Sequence, residues 1–338
     1  MAPGGLDRLD GLGVVSVLAT RALPAGIFAD SSGLVGDATA LRRRAAADGY
    51  LWLRGLVEPG VILELRHRVL GVCDAAGWLR DGAAALDGVA TPGARVDGYD
   101  DPRMLAFQRE VMLLDDLPAL RRHPAILSVL DALCGEPAEP TLGDVPRVAF
   151  PRAPDLTTPP HQDHAYVKGE TDLWTVWVPL GECPRELGVL SLVSGSHRGG
   201  LLPHPPAGVT TEGAAVPEDS VWAAGDLACG DVVMFHCLTV HAACENVSDR
   251  LRLSIDFRYR PARPRPPAPF VAGRGARLVH RRDCAWVARI AEPDRVYFER
   301  PAEAEGQGLA GCPSCEPSIV DGRPAVVIKS KNETGRCP

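Results

Sequence analysis

The sequence predicts an α+β fold in which a helical amino-terminal region supports a jelly-roll core. Helical periodicity dominates as far as Gly135, after which short alternating segments are separated by glycine and proline. Such segments are typical of an antiparallel sandwich or barrel, and helices followed by many strands favour α+β architecture. With 338 residues and 46% hydrophobic composition, the chain is long enough for one large domain or two modest ones.

Two helices and one short strand are predicted in the first part of the chain. In the helix over residues 36–50, Asp37 can cap the first turn and Gly49 can end the last one. Residues 50–57 (YLWLRGLV) follow as a short strand. A second helix opens at Pro59, and its apolar stripe consists of Ile62, Leu65, Val69 and Val72.

Residues 115–135 are predicted to be helical again, interrupted by Pro118 and Pro124. The strands predicted beyond this helix are RVAF (147–150), HAYV (164–167), LWTVWVPL (173–180), GVLSLV (188–193), GDVVMFH (230–236), LRLSIDFRYR (251–260) and PAVVIKS (324–330). The predicted organisation is an amino-terminal segment (1–36), a jelly-roll domain with helical support (37–262) and a carboxy-terminal extension packed on that core (263–338).

Composition narrows the range of partners. The formal net charge of −7 gives no broad field that attracts nucleic acid or an anionic membrane. No apolar run approaches the roughly 18 residues that span a bilayer. Ten scattered cysteines indicate reduced thiols rather than a secreted disulfide scaffold. We therefore predict a cytoplasmic protein with neither nucleic acid nor a membrane as its partner; its oligomeric state is left open.

The segment PPHQDHAYV (159–167) suggests a metal site. In a strand, His161 and Asp163 share one face, whereas Gln162 and His164 point away. An imidazole nitrogen beside a carboxylate oxygen suits a metal such as Fe(II). A short motif of this kind is weak evidence by itself, so a third ligand is needed. The candidates for that ligand are His197, His236 and His241.

The strand at 251–260 suggests an anion site. Its apolar residues alternate with polar ones, so apolar packing against helices turns Arg252 and Ser254 towards the interior. A buried arginine is costly unless an anion meets it, and a substrate carboxylate is one such anion. Arg258 and Arg260 of the same strand are expected to be exposed.

Three segments together resemble the phytanoyl-CoA dioxygenase family of non-haem iron, 2-oxoglutarate-dependent oxygenases. They are HQD (161–163), WVPLGECPRELGVLSLVSGSHRGG (177–200) and GDVVMFHCLTVHAACENVSDRLRLS (230–254). Residues 48–69 also resemble the amino-terminal element of that family, and the match covers roughly residues 37–260. The resemblance implies a double-stranded β-helix of the cupin type.

The resemblance also implies roles for individual residues. The iron-binding HxD of the family falls on His161 and Asp163, and its distal histidine on His241 rather than His236. Arg252 lies eleven positions beyond His241, at the spacing of the arginine that binds 2-oxoglutarate in the family.

Two further residues are implied near the co-substrate. Ser254 lies two positions from Arg252 on the same strand face, so it either shares the carboxylate contact or is merely a small polar residue. Trp177 resembles a tryptophan that lines the co-substrate pocket, although a core tryptophan explains it equally well.

The implied reaction is hydroxylation of an unactivated carbon of a small molecule, with secondary metabolites among the candidates. It consumes O2 and 2-oxoglutarate and releases succinate and CO2. An intact Asp163 argues against halogenation, because related halogenases replace this carboxylate. Desaturation, ring closure, epimerisation and a non-catalytic metal-binding relative stay open. Substrate contacts are expected from residues 88–108 and 198–226.

The remaining histidines and cysteines are expected to be structural. His197 and His236 are assigned to packing. Cys312 and Cys315 have zinc-like spacing, but zinc needs four ligands and no second close pair exists in the sequence. Since His280, Cys284 and Cys337 lie elsewhere in the sequence, ordinary loop cysteines are expected.

Overall fold

The computed structural model describes residues 26–141, 143–167, 172–204, 213–262, 269–291, 294–298 and 300–315, and the backbone of 319–320 and 323–324. The chain divides into two compact units. The first contains the residues up to Asp163 and Asp172–Arg263, and the second contains His164–Thr171 and Pro264–Pro338. Within the described residues, no helix is long and apolar enough to cross a membrane.

The helices are α1 (Ala38–Asp48), α2 (Pro59–Ala75), α3 (Pro102–Met112), α4 (Asp116–Arg121), α5 (Pro124–Cys134) and α6 (Pro301–Glu305). Helix α1 begins and ends as its sequence predicts: Asp37 accepts a hydrogen bond from the Ala40 amide at 2.9 Å, and Gly49 adopts a φ of 77°. Pro124 opens α5, whereas Pro118 lies in the first turn of α4. A proline there removes no helical hydrogen bond, so Pro118 does not interrupt the helix as predicted.

The strands of the first unit are β1 (Gly26–Ile27), β2 (Tyr50–Leu53), β3 (Ala138–Pro140), β4 (Val145–Ala149), β5 (Trp174–Pro179), β6 (Leu190–Val193), β7 (Trp222–Ala224), β8 (Val232–His236), β9 (His241–Ala243) and β10 (Arg252–Pro261). They form a six-stranded sheet, ordered β2-β8-β5-β10-β3 with β4 also paired to β10, and a four-stranded sheet ordered β1-β7-β6-β9. These mostly antiparallel sheets and the helices confirm the predicted α+β jelly roll.

The two faces of β10 have different surroundings. Leu253, Ile255, Phe257 and Tyr259 are at most 2% exposed and share one apolar core with residues of α1 to α5. The alternate residues Arg252, Ser254, Asp256 and Arg258 are also buried, on the opposite face. Because one face of β10 is anchored by helices, its polar face is held towards the interior of the jelly roll.

One predicted strand is wrong. Residues 163–165 form a short 3-10 turn, so HAYV is not extended. Local alternation cannot distinguish such a turn from a strand when the segment is only four residues long. The predicted strand PAVVIKS lies largely outside the described residues.

The second unit has its own small sheet. Its strands are β11 (Phe270–Gly273), β12 (Leu278–Arg281), β13 (Arg295–Phe298) and β14 (Ala310–Gly311), in the order β13-β11-β12-β14. Strands β15 (Ile319–Val320) and β16 (Arg323–Pro324) form a separate two-stranded sheet. Its buried apolar cluster consists of Phe270, Ala272, Val279, Phe298 and Ala304.

Candidate metal centre and co-substrate pocket

His161, Asp163 and His241, here called the triad, come together inside the first unit. His161 and His241 exchange backbone hydrogen bonds of 2.8 and 2.9 Å as an isolated antiparallel bridge. The turn that begins at Asp163 then brings its carboxylate back to both imidazoles. One ligand atom from each side chain lies within 4.8 Å of the others. The triad therefore depends on a bridge and a turn, not on the single strand face that the sequence suggested.

Backbone carbonyls fix the orientation of both imidazoles. Nδ1 of His161 lies 2.9 Å from the Pro159 carbonyl oxygen, and Nδ1 of His241 lies 3.0 Å from the Thr239 oxygen. A carbonyl only accepts, so each Nδ1 carries the proton and each Nε2 presents a lone pair. Those Nε2 atoms lie 3.7 and 3.8 Å from Oδ1 of Asp163. This arrangement is typical of metal-binding histidines.

The triad is buried and its histidines are neutral. Its side chains belong to residues that are 7% exposed or less. Burial, helped by the neighbouring His241, lowers the pKa of His161 to about 3. Burial also lowers the pKa of His241. Neutral imidazoles are the form that binds a metal ion, so neither must lose a proton at neutral pH.

Asp163 is held as a carboxylate. Burial alone would raise its pKa, but Arg258 and the two imidazoles, with a Thr175 hydrogen bond, bring it below the usual range. Nη2 of Arg258 donates to Oδ1 at 3.1 Å, and the Thr175 hydroxyl donates to Oδ2 at 2.5 Å. Arg258 is only 6% exposed, so the expectation of an exposed arginine is wrong. Arg260 is exposed, as expected.

This donor set fits Fe(II). Two imidazoles and one carboxylate form the facial ligand set of non-haem iron oxygenases, which leaves positions open for small molecules. The observations that support the fit are the 4.8 Å grouping, the two lone pairs and the ionised carboxylate. The separations between the three ligand atoms are those expected when side chains converge on one ion rather than pack independently.

Arg252 lies in the same pocket as the two histidines. The pocket is lined by Arg147, Thr158, His161, Trp177, Leu190, Phe235, His241, Ala242, Ala243, Arg252 and Asp256. Arg252 is 4% exposed, and burial lowers the pKa of its guanidinium. Arginine nevertheless stays protonated in proteins. Among the described residues, no carboxylate oxygen lies within 4.0 Å of a guanidinium nitrogen of Arg252, so Arg252 forms no ion pair with them.

Ser254, Trp177 and Gly188 surround the guanidinium. Nη1 of Arg252 donates to the Ser254 hydroxyl at 2.7 Å, and Nε donates to the Gly188 carbonyl at 3.0 Å. The guanidinium carbon lies 5.8 Å from the ring centre of Trp177. Gly188 has a φ of 85°, and a Cβ there would approach the Cys244 carbonyl to 2.9 Å. Glycine therefore permits the close approach of this backbone, whose carbonyl accepts from Arg252, to Cys244 and Asn246.

A second pocket adjoins the first one and shares Arg147, Thr158, Ala243 and Arg252 with it. Its other walls include Met104, Phe150, Ala153 and Leu156, with Tyr99 and Gln108 as polar additions. Tyr99 donates to the Leu156 carbonyl at 2.9 Å. Arg147 forms an ion pair with Asp256 at 2.6 Å, and this pair balances the charge of the Arg147 guanidinium. The arginines Arg95 and Arg103 pair instead with Asp155 and Asp101.

Sequence reasoning missed the residues that support the triad. Gln162 is fully buried; its amide donates to the Gly200 and Leu238 carbonyls, and its oxygen accepts from the Leu202 amide. Gln162 therefore links Gly200, Leu202 and Leu238 to the segment that carries His161 and Asp163. Thr175 lies on β5 directly opposite Arg258 on β10, and this register aims both at Asp163. No local signal distinguishes either residue from ordinary strand positions.

The remaining histidines lie outside the triad. His236 stacks edge-on against Trp174 with ring centres 5.6 Å apart, and its Nδ1 accepts from the Leu238 amide. His197 is half-buried 6.0 Å from the His236 ring. Both have packing contacts, in keeping with the structural role expected for them.

Comparison with known proteins agrees with this geometry. Residues 46–254 match the family model for phytanoyl-CoA dioxygenase. The chain is 29% identical over 260 residues to a 1-deoxypentalenic acid 11-beta-hydroxylase of Streptomyces arenae and 27% identical over 253 residues to that of Streptomyces exfoliatus. Each alignment covers 70% of this chain and 85% of the relative.

Among solved structures, the α-ketoglutarate-dependent carbocyclase SnoK from nogalamycin biosynthesis is similar at 22% identity and a TM-score of 0.49. That alignment covers 77% of this chain and 93% of SnoK. The family model covers well over half of the chain. The protein therefore belongs to the phytanoyl-CoA dioxygenase family and is a non-haem iron, 2-oxoglutarate-dependent dioxygenase.

Proposed function

We propose that this enzyme hydroxylates an unactivated carbon of a small molecule and releases succinate and CO2. In this proposal His161, Asp163 and His241 hold Fe(II), and Arg252 anchors 2-oxoglutarate. The observation that carries the proposal is one pocket lined by both imidazoles and by a buried guanidinium that forms no ion pair with any carboxylate of the described residues. Bound iron supplies the activation of O2 that side chains alone cannot provide.

The chain contributes charge and orientation to this reaction. Arg252 binds the distal carboxylate of 2-oxoglutarate, because a buried guanidinium is stabilised by a bidentate anion. Ser254 orients one Nη of Arg252 and adds a hydroxyl beside the same carboxylate. The ring of Trp177 packs against the guanidinium of Arg252. The co-substrate is thereby fixed in one orientation before the reaction starts.

The triad is kept in one geometry by its surroundings. The carbonyls of Pro159 and Thr239 hold the two imidazole rings, and Thr175 and Arg258 hold the carboxylate. Arg258 also offsets the charge of Asp163 inside the buried site. Such supporting contacts keep ligand atoms aligned when small molecules exchange at the open positions.

The adjoining pocket is proposed to receive the substrate. Met104, Phe150 and Leu156 suit an apolar skeleton, and Tyr99, Gln108 and Arg147 offer polar contacts at its edges. Most small-molecule sites combine these two kinds of wall. The hydroxylation named for the two Streptomyces relatives makes 1-deoxypentalenic acid a reasonable first compound to test. None of the nine cysteines within the described residues forms a disulfide, which supports action in the cytoplasm.

A metabolite screen tests this proposal. Purified enzyme with Fe(II), ascorbate, O2 and 2-oxoglutarate is offered one compound at a time, and succinate is quantified. The expected result is substrate-stimulated succinate together with a product about 16 mass units heavier, as insertion of one oxygen requires. A product lighter by about two units, or of unchanged mass, replaces hydroxylation by desaturation, ring closure or epimerisation. Succinate formation that no compound stimulates contradicts the proposal.

A further inference from the structure

The carboxy-terminal unit brings together four side chains of types that can ligate a metal: His280, Cys284, Cys312 and Cys315, here called the His/Cys cluster. His280 lies on β12 and Cys284 follows in the next turn, whereas Cys312 directly follows β14. Strands β12 and β14 pair in parallel, with Val279 opposite Gly311. The Cys312 amide continues that ladder by donating to the Val279 carbonyl at 2.9 Å. Strand pairing therefore places the end of β12 and the turn after it beside the residues that follow β14.

The ligand atoms of the cluster lie at distances that suit one metal ion. All four lie within 4.8 Å of one another, and Nδ1 of His280 is 3.6 Å from Sγ of Cys284. Tetrahedral zinc with bonds of about 2.0–2.3 Å places its ligand atoms about 3.3–3.8 Å apart. A small contraction around an ion completes that geometry. A two-iron cluster would instead spread its ligands over two metal centres and hold the two pairs farther apart.

A backbone amide already faces one of the sulfur atoms. The Arg281 amide donates to Sγ of Cys315 at 3.2 Å. Donors of this kind stabilise thiolates and orient them towards a metal, as supporting contacts do in zinc sites.

We propose that His280, Cys284, Cys312 and Cys315 form a structural zinc site. Three thiolates and one imidazole are a donor set that selects Zn²⁺ and closes its coordination. Binding displaces the thiol protons and leaves no position for a substrate. Cys312 and Cys315 are both free rather than bonded to each other. A simple dithiol pair would also give no reason for His280 and Cys284 to converge on them.

The small apolar core of this unit explains why a bound metal would stabilise it. Among the described residues, its buried apolar cluster contains Phe270, Ala272, Val279, Phe298 and Ala304, with Val296 and Leu309 packed against them. A core of that size supplies little stability against the entropy of ordering the chain. Small units commonly compensate with a structural metal whose binding free energy adds directly to folding. Zinc that joins β12 and β14 would stabilise the sheet around that cluster.

The expectation of ordinary loop cysteines is therefore revised. That expectation depended on finding no second close pair in the sequence, but His280 and Cys284, four positions apart, provide one. The two pairs are separated along the chain and meet only through the β12–β14 ladder. Sequence spacing alone could not provide that contact.

The test is metal content of the full-length protein by mass spectrometry, with zinc and iron counted per chain. Wild type, purified without chelators, is expected to hold about one tightly bound zinc, as closed tetrahedral sites do. The double variant Cys312→Ser/Cys315→Ser is expected to hold almost none. Cys134→Ser serves as the matched control, since this half-buried cysteine lies outside the cluster. Asp163→Ala, which damages the triad, should keep its zinc.

Two additional measurements guard against misfolding of the double variant. His280→Cys preserves four donors and should retain zinc. Cobalt(II)-loaded wild type should show intense near-ultraviolet thiolate-to-cobalt absorption, which Cys134→Ser retains. The proposal is overturned by wild type that binds no zinc even after titration, by zinc that persists in the double variant, or by zinc that disappears with Asp163→Ala. Iron in place of zinc overturns it as well. None of these measurements depends on turnover.

Discussion

The triad of the jelly roll and the His/Cys cluster of the carboxy-terminal unit differ in donors and in openness. The triad offers two imidazoles and one carboxylate, whereas the cluster offers one imidazole and three thiols. Three ligands leave coordination positions for reactants, and four close the metal off. Hard and borderline donors suit iron, but thiolates favour zinc. The two proposals together assign the reactive metal and the structural metal to different donor sets.

The two regions also differ in what compensates buried charge. The carboxylate of Asp163 is paired with Arg258, and Thr175 hydrogen-bonds its other oxygen. In the cluster, by contrast, a backbone amide, that of Arg281, donates to Sγ of Cys315.

The largest expected effect is a selective loss of metal at one site. His241→Ala should abolish Mn(II) binding in calorimetry, because it removes one of only three ligands. His236→Ala should bind Mn(II) normally, since His236 packs against Trp174 instead. Both variants should retain the zinc of the His/Cys cluster, because each site takes all of its ligands from one unit. Equal Mn(II) affinity in the two variants would refute the assignment of the distal ligand.

The next effect concerns 2-oxoglutarate. Arg252→Ala should raise the apparent 2-oxoglutarate constant by about 30-fold or more, because loss of a buried guanidinium–carboxylate pair costs roughly 2–5 kcal/mol. Mn(II) affinity should change little, since Arg252 is not a ligand. Arg250→Ala is the control, because Arg250 is exposed at the preceding turn. Succinate formation measured against 2-oxoglutarate decides the point: a defect confined to Arg250→Ala would reverse the assignment.

A smaller effect is expected from the support of Asp163. Thr175→Val removes the hydroxyl that donates to Oδ2 but keeps the shape of the side chain. Mn(II) affinity should fall about 10-fold, as it does when partners of metal ligands are removed. Thr91→Val is the matched control, since its hydroxyl donates to the Leu79 carbonyl elsewhere. An affinity unchanged in Thr175→Val would show that Arg258 alone suffices to hold the carboxylate.

The smallest effect is the pH dependence of stability in metal-free protein. The folded pKa of His161 is lowered to about 3 from 6.5, so between these values only the unfolded chain binds the proton. Stability therefore rises with pH across this window, and lowering the pH from 7.5 to 5.5 should cost about 1 kcal/mol through His161.

Guanidinium unfolding at the two pH values, with a chelator present, measures this cost. His161→Gln should lose about 1 kcal/mol less than wild type between pH 7.5 and 5.5. His67→Gln, which alters an exposed histidine of α2, should follow wild type. Parallel behaviour of His161→Gln and wild type would mean that His161 is not neutralised by burial.

Much of the jelly roll was predictable because its information is local. The caps of α1, the apolar stripe of α2 and the alternation of β10 lie within short windows of sequence. Alternation also identified the buried face that carries Arg252 and Ser254. Family resemblance then selected His241 over His236, a choice that spacing and periodicity alone left open. Both the family and the fold class are confirmed.

Partners that meet across strands were decided only by the tertiary structure. The register of β5 against β10 sets Thr175 opposite Arg258 and aims both at Asp163. The β12–β14 pairing brings together residues about 30 positions apart in the His/Cys cluster. Side-chain periodicity reports which face a residue occupies, but register depends on packing between distant segments. For that reason the sequence, through its family resemblance, predicted His161, Asp163 and His241 as metal ligands, whereas only the tertiary structure showed the residues that support them and the second cluster.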